Sequence, residues 1–130
     1  MRKETEFWHK IRPHLLGHVT RIENWATCGI PDIHGCFSGL DYWIETKIGE
    51  NGRIKIRPNQ VGWHMSYNQE GGRSWFLVYW PEKSCVELYR GGDAMRLAAE
   101  HRKVPPYREY PWPLTTEAWI DLIHSVLHGI

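Results

Sequence analysis

The sequence predicts an α/β fold, a mixed central β-sheet flanked by helices in one domain. Three observations predict it. Apolar residues recur at helical spacing near both ends of the chain. Alternating or continuous apolar runs of strand length fill the middle. A helix that opens at Pro58 separates two groups of those strands.

Taken in order, "KETEFWHKIRPHLL" (3–16) sets Phe7, Trp8, Ile11 and Leu15 on one helical face, with Pro13 disturbing the last turn. "HVTRIE" (18–23) alternates as a strand. A hairpin follows, with strands near 31–37 and 41–48 around the turn "SGLD". "GRIKIR" alternates strictly and reads as a further edge strand, with Arg53, Lys55 and Arg57 on its polar side. "PNQVGWHMSYNQE" is a helix that Gly71 and Gly72 end. "SWFLVYW" is a near-continuous apolar strand of the buried kind, and "CVELYR" pairs beside it after "PEKS". "DAMRLAAEHRK" is a helix with Asp93 as N-cap. "VPPYREYPWP" holds four of the eight prolines and reads as an ordered connector, neither helix nor central strand. "TTEAWIDLIHSVLH" closes the chain as an amphipathic helix.

At 130 residues the chain suits one domain with a sizeable core. Sixteen Lys and Arg against fifteen Asp and Glu give a net charge of +1, so any nucleic-acid footprint must come from local clustering. Eight Trp and six Tyr serve equally as core or as platforms for stacking bases. Cys28, Cys36 and Cys85 are odd in number and lack CxxC spacing, which favours reduced thiols over a disulfide framework or a zinc site. The N-terminus lacks the apolar core of a signal peptide, and no run approaches transmembrane length. A soluble, cytoplasmic protein is expected.

The chemistry concentrates in "GIPDIHGCFSGLDYWIETKIGE" (29–50). With the hairpin paired about Gly39-Leu40, Ser38 faces Asp41, His34 meets Glu45 and Asp32 meets Lys47. Asp32, His34, Glu45 and Lys47 then share one face, while Ile33, Phe37, Tyr42, Ile44 and Ile48 form the core face. Two carboxylates about 4 Å apart repel by roughly 4 kcal/mol at an effective dielectric near 20. A divalent cation removes that conflict, and oxygen ligands favour Mg²⁺ or Mn²⁺ over zinc. Lys47 projects into the same pocket, where it can stabilise charge on a phosphate and help orient or deprotonate water. Read singly, each residue is more simply a solvated surface charge; the pattern as a whole is not.

Pro31-Asp32 followed by Glu45-Thr46-Lys47 resembles the PD-(D/E)xK nuclease superfamily, and within it the archaeal-type Holliday junction resolvases and the small VRR-NUC nucleases, some of them phage-encoded. The likeness covers roughly residues 4–90, leaving about 93–130 as a C-terminal helical extension. It implies a restriction-endonuclease-like core and Mg²⁺-dependent hydrolysis of DNA, with Asp32, Glu45 and the Thr46 carbonyl as metal ligands and Mn²⁺ as a substitute. The family's opening helix supplies one more acid, followed by apolar residues at +3, +4 and +7. Glu4 meets that pattern through Phe7, Trp8 and Ile11, whereas Glu6 does not. Arg53, Lys55, Arg57, Gln60 and His34 are candidates for contact with the DNA. A junction nuclease would need two active sites for paired cuts, hence a homodimer, whereas a flap-type nuclease can act as a monomer. The alternative is a non-catalytic nucleic-acid-binding module on the same fold, although such a module has no need of an acid pair facing a polyanion.

Overall fold

The computed structural model describes residues 2–23 and 29–129, leaving out the side chain of Arg2. Cys28, one of the three expected free thiols, lies outside the described residues; Cys36 and Cys85 are free. The chain runs α1 (Arg2–Ile11), β1 (His18–Arg21), β2 (Ile33–Phe37), β3 (Leu40–Ile48), α2 (Pro58–Gln69), β4 (Ser74–Trp80), β5 (Cys85–Arg90), α3 (Ala94–Glu100), β6 (Arg108–Pro111) and α4 (Thr116–His128). The six strands form one sheet in sequential order. Every neighbouring pair is antiparallel except β3 and β4, which run parallel because α2 crosses between them. This is the expected α/β class, a mixed central sheet flanked by helices.

Each sheet face has its own core. On one face, Phe7, Trp8 and Ile11 of α1 and Trp119, Leu122, Ile123 and Val126 of α4 pack over Ile33, Tyr42, Ile44, Leu77 and Leu88. On the other, Ile54, Ala94, Leu97 and Val104 pack over Phe76, Val78, Trp80 and Tyr89, with Val61 and Met65 of α2 at the margin. The continuous apolar run in β4 is thereby explained. Phe76 and Val78 serve one core while Trp75 and Leu77 serve the other, so these central positions of the strand are apolar on both faces.

The hairpin register differs from the expected one by two residues. Phe37 pairs with Leu40, Gly35 with Tyr42, His34 with Trp43 and Ile33 with Ile44. The turn is Ser38-Gly39, with φ of 53° and 81°. A two-residue hairpin loop of this kind needs positive φ at both central positions. Turning at Gly39-Leu40 would have forced Leu40 there instead of Ser38. A second contact favours the observed register: the Tyr42 ring lies across Gly35, where a Cβ would come within 2.1 Å of the ring, and its hydroxyl donates to the Leu16 carbonyl (2.8 Å). A two-residue shift preserves which residues share a face but changes who is opposite whom. The core face stands, except that Phe37 lies at the surface, 38% exposed.

"GRIKIR" is not a strand. Glu50 and Arg53 exchange two backbone hydrogen bonds of 3.0 Å around Asn51-Gly52, and residues 54–57 then run without a partner strand. The alternation survives as burial alone, with Ile54 in the core and Arg53, Lys55 and Arg57 exposed. The proline-rich connector does yield a strand, β6, but an edge one, as its prolines require. Asp93 occupies the N-cap position of α3 without a capping bond from its side chain, which lies 3.8 Å from Arg96 instead. The segment expected as an extension therefore completes both the sheet, through β6, and one core, through α4.

Candidate metal centre

Beyond Ile33, β2 no longer pairs with β3, so the stretch Glu45-Thr46-Lys47 has a free edge on that side. Asp32 occupies it. The Thr46 N–H donates to Asp32 Oδ1 (2.9 Å) and the Thr46 hydroxyl to Oδ2 (2.6 Å). The N–H and C=O of one strand residue point to the same edge, so the Thr46 carbonyl shares the edge that Asp32 faces. Glu45 and Lys47 project from the opposite sheet face to Ile44, and both are buried, at 5% and 9% exposure.

The amide of Gln60 holds this pair. Its nitrogen donates to Glu45 Oε2 (3.3 Å), and its oxygen accepts from Lys47 Nζ (2.9 Å) and from the Arg57 N–H (3.0 Å). The last bond caps the first turn of α2, which fixes the amide over β3. Gln60 is itself only 4% exposed, so it is an internal bridge and not a surface residue.

Among the described residues Glu45 Oε1 is buried and has no hydrogen-bond partner. The Glu45 side chain lines a cleft of about 490 Å³ with Glu4, Arg21, Asp32, Lys47, Lys55, Arg57 and Gln60. Burial raises the Asp32 carboxyl above the ordinary range, against the two Thr46 hydrogen bonds that lower it. Glu45 is raised further, first by burial and then by the charge of Asp32. Burial lowers the Lys47 ammonium, against the pull of the surrounding acids. Without a cation, burial shifts both acids toward their protonated forms. With one, the same arrangement is a set of hard oxygen donors.

Of the residues singled out in the sequence, Glu4, Asp32, Glu45, Lys47, Lys55, Arg57 and Gln60 meet in this cleft. Glu6 does not; it lines a separate hollow with Lys3, Lys10 and Trp112. Arg53 lies in another groove, of about 540 Å³, with Ile54, Lys55 and His101. His34 is also elsewhere. In the observed register it opposes Trp43, packs on that ring at 4.5 Å and pairs with Asp41 (3.3 Å), so the expected meeting with Glu45 does not occur.

Two residues of the neighbourhood had no signal in the sequence. Arg21 ends β1 and enters the cleft wall, where its charge acts on Asp32; only the alternation of "HVTRIE" hinted at its side. His64, one helical turn past Gln60, is buried with Nδ1 2.7 Å from the Ser74 hydroxyl. Its pKa is lowered to about 3, by burial first and then by Lys47, so it is neutral.

A second acidic group lies two strands away. Cys85, Glu87 and Glu109 bring potential ligand atoms within 4.8 Å of one another, a set that could hold a metal. However, Arg102 already stands in that position, 3.0 Å from Glu87, 3.7 Å from Glu109 and 3.7 Å from Cys85 Sγ. A guanidinium neutralises the acids that a cation would need.

Neither a family model nor a curated protein sequence matches this chain. Among solved structures it is similar to Hjc, a Holliday junction resolvase from the archaeal hyperthermophile Archaeoglobus fulgidus, with a TM-score of 0.48 and 14% identity over 69% of this chain and 75% of that one.

Proposed function

We propose that this protein is a divalent-metal-dependent nuclease that hydrolyses phosphodiester bonds in DNA. Asp32, Glu45 and the Thr46 carbonyl, joined by Glu4, are the ligands for Mg²⁺ or Mn²⁺, and Lys47 is the catalytic cation. One observation carries the reading: Glu45 Oε1 is buried and unpartnered among the described residues, and the Glu45 side chain lines the same cleft as Asp32, Glu4 and Lys47. Buried polar atoms are almost always satisfied, and leaving one unpaired costs about 1–3 kcal/mol. An all-oxygen donor set fits a hard divalent ion, which when bound would polarise the phosphate and lower the pKa of a water.

The protein's own groups supply the rest. Thr46 clamps both oxygens of Asp32, so that carboxylate is held before any ligand arrives. Gln60 fixes Lys47 at 2.9 Å, aiming an ammonium at the site where a phosphate would gain charge. Burial also depresses the Lys47 pKa, so the neutral amine, the form that can accept a proton from water, is easier to reach than for an exposed lysine. Lys55 and Arg57 set positive charge on the cleft wall, where a DNA backbone would approach.

The test is cleavage of labelled duplex, flap and four-way-junction DNA in Mg²⁺, in Mn²⁺ and in EDTA. Cleavage that needs the metal and is lost in Asp32→Ala, with circular dichroism unchanged, is expected. Failure of the wild-type protein to cut any of them in either metal would overturn the reading.

A further inference from the structure

A row of half-buried rings begins where the cleft ends. Trp43 precedes Glu45 by two residues on β3, so it stands on the same sheet face, about 7 Å along the strand. Trp63 follows Gln60 by three residues on α2, hence on the same side of that helix. The two indoles meet at 5.4 Å. Tyr67, one turn further along α2, stacks on Trp63 at 4.7 Å with the rings 16° from parallel. His34 also lies against Trp43, at 4.5 Å. Trp43, Trp63 and Tyr67 are each only partly covered, unlike the core indoles of Trp75 and Trp80. The two elements that carry Glu45 and Gln60 therefore also carry the shelf.

We propose that Trp43, Trp63 and Tyr67 stack an unpaired base next to the phosphate held in the cleft, so that the substrate is DNA with an unpaired nucleotide at the cut, not continuous duplex. The inference deepens the nuclease reading and rests on it. Every base has a π-face, so such a platform is sequence-tolerant, and one stacked base is worth roughly tenfold or more in affinity. A base inside a duplex is already stacked on its neighbours and presents no free face. Lys55 and Arg57 line the cleft itself, with Glu45 and Gln60, where a phosphate is wanted. His34, against Trp43, is paired with exposed Asp41, whose charge repels phosphate.

The experiment measures anisotropy of two labelled probes in EDTA, where nothing is cut: oligothymidylate of about 12 nucleotides, and a blunt duplex of the same length. Wild type is compared with Trp63→Phe and Trp63→Leu. Phe keeps a π-face; Leu keeps only apolar bulk. Trp63→Leu should bind oligothymidylate about tenfold more weakly while its duplex affinity stays within about twofold, and Trp63→Phe should recover most of the loss. Equal binding of oligothymidylate by Trp63→Leu and wild type overturns the proposal. So does an equal loss on duplex, or a loss that Trp63→Phe shares. The nuclease reading is judged separately: if wild type cuts nothing in Mg²⁺ or Mn²⁺ yet shows this pattern, the shelf stands and the nuclease reading falls.

Discussion

Two buried acids on one face of the same sheet have opposite surroundings. Glu87 on β5 accepts from the Tyr89 hydroxyl and from Arg102 (3.0 Å), and is 3% exposed. Burial pushes the Tyr89 phenol up, which keeps it a donor. Glu45 on β3 has a neutral amide on one oxygen and, among the described residues, nothing on the other; its charged neighbours are the acids Asp32 and Glu4 together with Lys47 and Arg57, none of them hydrogen-bonded to it. The first is closed, because both of its oxygens are paired. The second keeps one oxygen unpaired among the described residues, and its side chain lines a cleft. Burial and acidity alone do not distinguish these two carboxylates; the pairing of their oxygens does.

The largest effect that could break this contrast is on chemistry. Glu45→Ala or Asp32→Ala should reduce metal-dependent cleavage by about 10³-fold or more, while metal-free melting holds or rises because a like-charge repulsion is gone. Wild-type rates in either variant would place the chemistry elsewhere.

Exchanging the roles of the two cations sharpens the comparison next. Arg102→Met strands Glu87 in the interior and should cost about 3 kcal/mol in urea unfolding, with cleavage per folded molecule changed less than about twofold. Lys47→Met should do the reverse. Stability stays within about 1 kcal/mol, because a poorly solvated charge is removed, and turnover falls about 10²-fold or more.

Glu4 and Glu6 differ in which hollow they line. Glu4→Gln should slow cleavage about tenfold and Glu6→Gln hardly at all; the opposite ranking would mean that α1 presents a different face to the cleft.

The pH dependence of metal-free stability follows from the signs of the shifts. Asp32 and Glu45 are raised in the folded state, so their contribution is fully present below about pH 4 and is lost as pH rises through the folded values. Lys47 is depressed, so its contribution is present above the ordinary lysine range and is lost as pH falls through its folded value. The informative measurement is therefore a difference: between about pH 5 and pH 8 the melting temperature of wild type should fall more than that of Glu45→Gln. Parallel curves would mean that Glu45 is not the strained group.

The smallest expected effect concerns the basic segment. Lys55→Ala with Arg57→Ala should lower the slope of log affinity against log salt by about 2 units on duplex DNA, and Arg53→Ala should leave it nearly unchanged. Equal effects at all three positions would remove the distinction between the cleft wall and the outer groove.

Much of this was legible in the chain. Periodicity located both terminal helices, Pro58 marked the start of α2, and the apolar run marked β4 as a strand covered on both faces. Face alternation put Asp32, Glu45 and Lys47 together even though the turn was displaced by two residues, because a shift of two leaves side-chain parity intact. The same displacement misplaced His34, since parity carries no information about which residue is opposite. "GRIKIR" misled for a related reason. Alternation reports which side chains are buried, and a segment lying over a core can alternate without any strand to pair with.

By itself, then, the sequence determined the order of elements through α3, apart from the strand it assigned to "GRIKIR", the two-sided burial of β4 and which hairpin side chains share a face. These follow from local sterics and from periods of 2 and 3.6 residues, which are properties of a short stretch of chain. Only the tertiary structure decided that Gln60 ties Glu45 to Lys47, that Arg21 enters the cleft wall, that Glu87 has its own cation while Glu45 Oε1 has none, and that β6 and α4 complete the sheet and a core. Each of those joins residues 11 or more positions apart, or depends on a partner being absent among the described residues. A hydrogen bond is satisfied by whatever the whole fold brings within about 3 Å, and no local pattern records that.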